Sequence, residues 1–466
     1  MKKWLVLLVI IPSLWAFERS QGFQSLESEV LCEELKIEGE IPTWVNGTYV
    51  RNGPSKFTAL KKSVSHWFDG LAMLHQFHIE KGSCTYTNRF LRTNDYQYMM
   101  NGSLPTGGFS RSSSPHPMEI LEGEFYPKRP NAVVNVALFD KTAVALTEAP
   151  TPVTFDLESL ETLGTFQYDD TLPQKNCYAT AHPQEIDGKT YGYLIEIGKH
   201  CQYIFYELKG NSRKKLASIP VTHPSYIHSF SITDHYIVFI DYPLRLDFEA
   251  LINGAGFIQS FKWDDEGKTR FYVIDRAAPE HIKTIEGPPF FSFHHINAYE
   301  EDDSIIIDLI GHKNSDVIQG EEGTLQGWKR YRIKDDEITT IHTELLDAEL
   351  PRINYERHNG KPYRYFYATC FRRNVAEVEA PPLYKVDTEQ KKIKTWSLRG
   401  YFASEPVFLP NPNGKREDDG VILSVVTNRS HTESFLLVLD GITFEEKARA
   451  YAPHGIPQGL HGQFFR

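Results

Sequence analysis

Cysteine is scarce in this chain, with five in 466 residues, at Cys32, Cys84, Cys177, Cys201 and Cys370. They are too few and too scattered for a disulfide scaffold, and no two form a Cys-x-x-Cys pair, which argues against a cysteine-bound zinc. Gly-x-Gly-x-x-Gly and the phosphate-cradling Walker loop are both absent, which removes the usual dinucleotide and nucleotide sites. No Ser-His-Asp or paired-acid motif stands out. Basic residues form no concentrated patch: 50 Lys and Arg stand against 61 Asp and Glu, a net charge of −11. Short runs such as Ser212-Arg213-Lys214-Lys215 read as solvated surface, so a nucleic-acid partner is not expected. Long amphipathic helical patterns, low-complexity linkers and an evident repeat motif are missing too.

The mainly apolar run from Trp4 to Phe17 is 14 residues long, too short to span a bilayer comfortably. It follows Lys2 and Lys3 and reads as the core of a secretory leader. Residues 1–16 are therefore expected to be a signal peptide and the protein to be exported, although Leu14 is not the small residue preferred three positions before a cut after Ala16. Asn46-Gly47-Thr48, Asn101-Gly102-Ser103 and Asn428-Arg429-Ser430 fit the glycosylation pattern, which has meaning only in a eukaryotic secretory route.

What is plentiful is aromatic: 29 Phe, 24 Tyr and 7 Trp. After a polar, partly helical leading segment over 17–40, the texture is uniform. Short runs rich in Val, Ile, Tyr, Phe and Thr alternate with Gly, Pro, Asn and Asp turns, as at 133–138, 142–147, 236–240, 304–310 and 421–426. These are strand signals. With no boundary in sight, residues 17–466 read as one all-β domain. An antiparallel array of that length has to close or repeat, and a propeller leaves only short edges.

Four histidines lie in apolar or tightly turned surroundings: His182, His228, His294 and His461. A buried imidazole needs a hydrogen bond or a metal. The run Phe291-Ser-Phe-His294-His295-Ile-Asn-Ala-Tyr299 reads as a strand, whose alternation lets only one of the two adjacent histidines face a given interior. The four are 46, 66 and 167 residues apart, beyond the reach of any helix or hairpin. The inner strands of a propeller would bring them to one axis and one metal. Imidazole suits Fe, Zn, Cu and Ni alike. Glu148, Glu349 and Glu405 sit in buried-looking strands, and a carboxylate there could take the second ring N–H of a metal-bound histidine.

The wording around these positions resembles the carotenoid cleavage oxygenase family, which includes carotene dioxygenases, apocarotenoid and stilbene oxygenases and a retinoid isomerohydrolase. The resemblance covers about Ile41 to Arg466. It rests on Gly47-Thr-Tyr-Val-Arg-Asn-Gly-Pro54, His66-Trp-Phe-Asp-Gly-Leu-Ala-Met-Leu-His75, Ala181-His182-Pro183, Tyr226-Ile-His228-Ser-Phe230, Phe293-His294-His295-Ile-Asn-Ala-Tyr-Glu300, Ser404-Glu405-Pro406, Glu417-Asp-Asp-Gly-Val-Ile-Leu-Ser424 and Leu460-His461-Gly462. It implies a seven-bladed β-propeller, with loops and short helices capping the face that holds the metal. It implies ferrous iron, Fe(2+), on His182, His228, His294 and His461, with His295 turned away. Glu148, Glu349 and Glu405 match the carboxylates behind the ligands, which leaves His182 without a glutamate, and His66 and Asp69 are structural.

The activity implied is oxygenative cleavage of a conjugated C=C bond in a carotenoid or apocarotenoid. Iron-dependent retinyl-ester isomerohydrolysis and non-catalytic polyene binding are the alternatives. The expected partners are a hydrophobic polyene and dioxygen, with weak membrane-surface association; oligomeric state is left open. The sequence departs from animal relatives at Met99-Met-Asn-Gly-Ser-Leu-Pro-Thr-Gly-Gly-Phe-Ser-Arg-Ser-Ser-Ser-Pro-His116. There an apolar docking loop with a lipid-modifiable cysteine is replaced by a polar, cysteine-free one.

Overall fold

Runs of β-branched and aromatic residues, each too short to bury itself, become strands that stack radially about one axis. The computed structural model describes residues 24–64, 66–105, 109, 131–253, 255–319, 324–370 and 379–466. The leader at 1–16 and, apart from Phe109, the 106–116 part of the polar loop lie outside them. Seven antiparallel sheets of four to six strands form the blades of a β-propeller.

From the axis outward, blade 1 is Gly462–Phe465, Gly47–Lys56, Leu71–Glu80, Ser83–Phe90 and Val30–Glu34. Blade 2 is Asn135–Phe139, Thr142–Leu146, Val153–Phe155 and Thr162–Thr165. Blade 3 has an interrupted inner strand, Cys177–Ala179 and Gln184–Ile186, then Lys189–Glu196, Cys201–Lys209 and Ser212–Val221. Blade 4 is Ser231–Ile232, Tyr236–Asp241, Thr269–Asp275 and Ile282–Gly287. Blade 5 is His295–Glu301, Ser304–His312, Leu325–Lys334 and Glu337–Glu344. Blade 6 is Glu349–Arg352, Tyr365–Thr369, Leu383–Asp387 and Lys392–Trp396. Blade 7 again has a split inner strand, Tyr401–Ala403 and Val407–Pro410, then Gly420–Asn428, Ser434–Asp440, Glu446–Tyr451 and Lys36–Gly39.

Burial falls with radius. Ser304–His312, second from the axis, is buried throughout, and the outermost Glu337–Glu344 has no buried residue. That explains why the second strands read as continuous apolar runs and the outer ones as polar. The cores lie between neighbouring blades: Tyr193 of blade 3 meets Phe230 and Phe239 at blade 4, and Tyr49 and Phe77 of blade 1 share a cluster with Leu423 and Leu436 of blade 7. Each fully buried side chain of this size contributes about 1.5–3 kcal/mol.

Both chain ends close the ring. Gly462–Phe465 pairs with Gly47–Lys56 on the inside of blade 1, while Val30–Glu34 and Lys36–Gly39 add to the outer edges of blades 1 and 7. The leading segment, expected to be partly helical, is thus two strands over its described part: exposed sheet edges offer it hydrogen bonds that local propensity does not register.

Strands alternate in direction, so connections from second to third strand return to the face where most inner strands begin. That upper face carries helix Phe248–Ile252, the turn Ile258–Ser260 and, after blade 1, helix Asn94–Met100. Helix Tyr355–His358, which joins the first two strands of blade 6, lies on the opposite face. Among the described residues no helix is long and apolar enough to cross a membrane.

Candidate metal centre

Each blade sends one of the seven singled-out residues toward the axis at the upper face. His461 immediately precedes the inner strand of blade 1, His228 lies just before that of blade 4, and His294 immediately precedes that of blade 5. His182 sits in the interruption of the blade 3 inner strand. Glu349 opens the inner strand of blade 6, Glu405 sits in the break of blade 7, and Glu148 follows the second strand of blade 2. Two expectations need correcting here. His294 lies outside the strand, which begins at His295, and of the three glutamates only Glu349 is within one. A functional side chain at a strand end is freed from the ladder and can be aimed, whereas a mid-strand one follows the pleat.

The four imidazoles meet. Their ligating nitrogens all lie within 4.8 Å of one another, with His182 Nε2 2.9 Å from His228 Nε2 and His294 Nε2 3.2 Å from His461 Nε2. Ring centroids of His228 and His461 are 6.4 Å apart, and the other five pairs are 4.4 to 5.2 Å apart. His228 and His461 therefore face each other across a common centre, while His182 and His294 approach from directions at right angles. Among the described residues, no histidine nitrogen occupies the directions opposite His182 and opposite His294.

Three of the rings are held from behind. Glu148 Oε1 lies 2.7 Å from His228 Nδ1, Glu349 Oε2 lies 2.6 Å from His294 Nδ1, and Glu405 Oε1 lies 2.8 Å from His461 Nδ1. In each pair the ring N–H donates to the carboxylate, so the proton is on Nδ1 and a lone pair points inward from Nε2. None of the three glutamates bonds His182, whose backbone N–H donates to Thr180 Oγ1 at 2.9 Å. His295 turns away as expected, its ring between Ser231 Oγ at 2.7 Å and Tyr242 Oη at 3.1 Å. His66 and Asp69 lie at the short helical turn Trp67–Asp69. His66 Nδ1 accepts from Phe68 N, and Asp69 accepts from the backbone N–H of Phe109.

Burial pushes His294 down to about 4, partly offset by Glu349, and burial together with the neighbouring His461 and His228 holds His182 well below 6.5. The carboxylates stay ionised. Burial opposes this, but His294 and His312 hold Glu349 at about 2, His228 lowers Glu148, and Arg352 with His461 lowers Glu405.

This donor set fits a divalent cation. His294 Nε2 and His461 Nε2 would otherwise present lone pair to lone pair at 3.2 Å. A metal–imidazole bond of about 2.1 Å places nitrogens at right angles about 3 Å apart, as found here. Three carboxylates and Arg352, whose Nη1 lies 3.4 Å from Glu405 Oε1, leave two negative charges in contact with the rings. Buried charge of that size is costly unless balanced, and one dication balances it.

The family model described as Retinal pigment epithelial membrane protein matches residues 23–466. The chain belongs to this carotenoid oxygenase family. Among its relatives, the carotenoid isomerooxygenase of Galleria mellonella is 32% identical over 493 residues, covering 95% of either chain. The mitochondrial carotenoid-cleaving dioxygenase of Macaca fascicularis is 30% identical over 512 residues, covering 92% of this chain and 91% of that one. A solved variant of Synechocystis apocarotenoid oxygenase superposes with a TM-score of 0.82 at 25% identity, over 96% of this chain and 98% of the other.

Three further residues bond the three glutamates and escaped the sequence reading. Tyr226 Oη donates to Glu148 Oε1 at 3.2 Å, Arg352 reaches Glu405, and His312 Nε2 donates to Glu349 Oε1 at 3.0 Å. Tyr226 stood inside a stretch already singled out, and Arg352 lies three residues after Glu349. His312 ends an apolar strand with nothing around it to suggest a polar partner.

Proposed function

We propose that His182, His228, His294 and His461 hold one ferrous ion and that the protein cleaves a conjugated C=C bond of a carotenoid or apocarotenoid with dioxygen, giving two carbonyl products. What carries this reading is the meeting of four imidazole nitrogens, three fixed by ionised glutamates, with two directions left free of histidine among the described residues. Bound there, ferrous iron would supply the one-electron chemistry that lets dioxygen react with a closed-shell polyene.

The protein's own part is positional. Glu148, Glu349 and Glu405 keep the Nδ1 protons in place, so the Nε2 lone pairs stay directed inward. Phe293 packs edge-on against His228, and Phe109, Phe68, Tyr226 and Phe257 form a continuous aromatic cluster on the same face. Such a wall excludes water and suits a rigid apolar chain, whose insertion depth would select the bond presented. No general base is needed.

The test is to incubate iron-loaded protein with an apocarotenal, and separately with a retinyl ester, in air and under nitrogen. Aldehyde formed only in air supports cleavage. Retinol released from the ester without oxygen would replace it with isomerohydrolysis, and a bound but unchanged chromophore would leave a binding protein. Since one relative is an isomerooxygenase, the double-bond geometry of the products should be determined as well.

A further inference from the structure

Each carboxylate behind the histidines takes a second donor, and the three donors differ in kind. Glu148 has the hydroxyls of Tyr226 and Thr147, at 3.2 and 3.3 Å. Glu405 has the Arg352 guanidinium at 3.4 Å and the Gly462 N–H at 2.8 Å. For Glu349 the second donor is another imidazole. Its Oε2 takes the His294 Nδ1–H and the Leu350 N–H, while Oε1 takes His312 Nε2–H at 3.0 Å. Both the His312 and Glu349 side chains are 1% exposed, so bulk solvent reaches neither.

We propose that His312 is a positioning residue for the metal centre, acting on His294 through Glu349; this rests on the reading of the four histidines as ligands. The terminal torsion of a glutamate is soft and roughly two-fold, so donors on Oε2 alone, from His294 and the Leu350 N–H, do not set the carboxylate plane. A donor fixed on the opposite oxygen does, and with it the direction from which His294 Nδ1 is held. His312 is well placed for that because its backbone is tied to the ligand segment. His312 N donates to Phe291 O at 2.7 Å, Phe291 N donates to His312 O at 2.9 Å, and Ile310 N donates to His294 O at 3.1 Å. His312 therefore ties Phe291 to blade 5, with Ile310 of the same strand holding His294, and through its ring it holds the carboxylate from blade 6. Truncating it would leave Glu349 Oε1 buried without its donor, and outer partners of this kind affect metal affinity about 10- to 100-fold.

The experiment compares His312→Leu, which removes the N–H, with His312→Gln, whose amide N–H reaches about the same height. Cobalt(II) affinity of the full chain is measured by chelator competition, and the visible ligand-field spectrum of the cobalt form is recorded. His312→Leu is expected to bind about 10- to 100-fold more weakly with shifted bands, and His312→Gln to stay within about threefold of wild type. On a Glu349→Gln background, His312→Leu should add less than about threefold, because both changes act on one hydrogen bond. Wild-type affinity and spectrum in His312→Leu would overturn the proposal. So would equal losses in Leu and Gln, which would mean that ring packing matters rather than the N–H, and so would full additivity with Glu349→Gln. Should His312→Leu fail to fold, the pairing of His312→Gln with His312→Asn, too short to reach Oε1, makes the same comparison. Wild-type protein that binds no cobalt would instead remove the ligand reading underneath.

Discussion

His295 is enclosed by Ser231 and Tyr242, while the ring of His294, one residue earlier, faces three other imidazoles. Burial lowers both, His294 to about 4 and His295 to about 3, so both rings are neutral imidazoles at neutral pH in the metal-free protein. Replacing His294 by Ala should abolish stoichiometric metal binding, as read by metal analysis of the purified protein; a full equivalent of retained iron would refute its assignment as a ligand. The same burial sets a pH dependence. With a folded value of about 4 against an ordinary 6.5, His294 binds its proton more readily in the unfolded chain, so stability is lost as pH falls through that interval. Glu349, at about 2 against 4.5, extends the loss to lower pH with the same sign. Calorimetry in chelator should give a lower Tm at pH 5 than at pH 7; an equal or higher Tm at pH 5 would contradict this.

At the scale of elements, the decisive features are strand ends and ring closure. The turn before His461 is shaped by Arg51, 1% exposed, whose Nη2 donates to Pro457 O at 2.9 Å. Gly459 lies directly against that guanidinium, and a Cβ there would come within 2.4 Å of Nε and Nη2. Gly459→Ala should therefore displace the turn, cost about 1–3 kcal/mol in urea unfolding and weaken metal binding; an unperturbed variant would show that the guanidinium gives way freely. Beyond His461, Phe465 is 6% exposed and packs against the blade 2 side of blade 1. Phe465→Ala should cost about 3–5 kcal/mol by loosening the inner closure. A loss below about 1 kcal/mol would mean that the outer strands Val30–Glu34 and Lys36–Gly39 alone hold the ring.

For the whole molecule, the four-histidine cluster brings side chains of blades 1, 3, 4 and 5 to a common point. Binding there favours the closed ring over the unfolded chain by mass action, about 2.7 kcal/mol at a free metal concentration a hundred times Kd. Differential scanning calorimetry should find a higher Tm with ferrous or cobaltous ion than with chelator. A Tm indifferent to metal would count against an ion held by the folded ring.

Much was legible beforehand because it is local. Strand texture follows from β-branched and aromatic runs, and the runs at 142–147, 236–240, 304–310 and 421–426 became Thr142–Leu146, Tyr236–Asp241, Ser304–His312 and Gly420–Asn428. The four histidines and three glutamates were legible from the residues flanking them and from the family those residues resemble. Period-two alternation tells which side chains are buried, but not which blade lies opposite. Only the closed ring decided that Glu148, from blade 2, stands behind a histidine of blade 4, that His228 and His461 oppose each other, and that His312 reaches Glu349. Those contacts join residues dozens to hundreds of positions apart, and what selects them is the angular order of the blades, a property that no short stretch of chain contains.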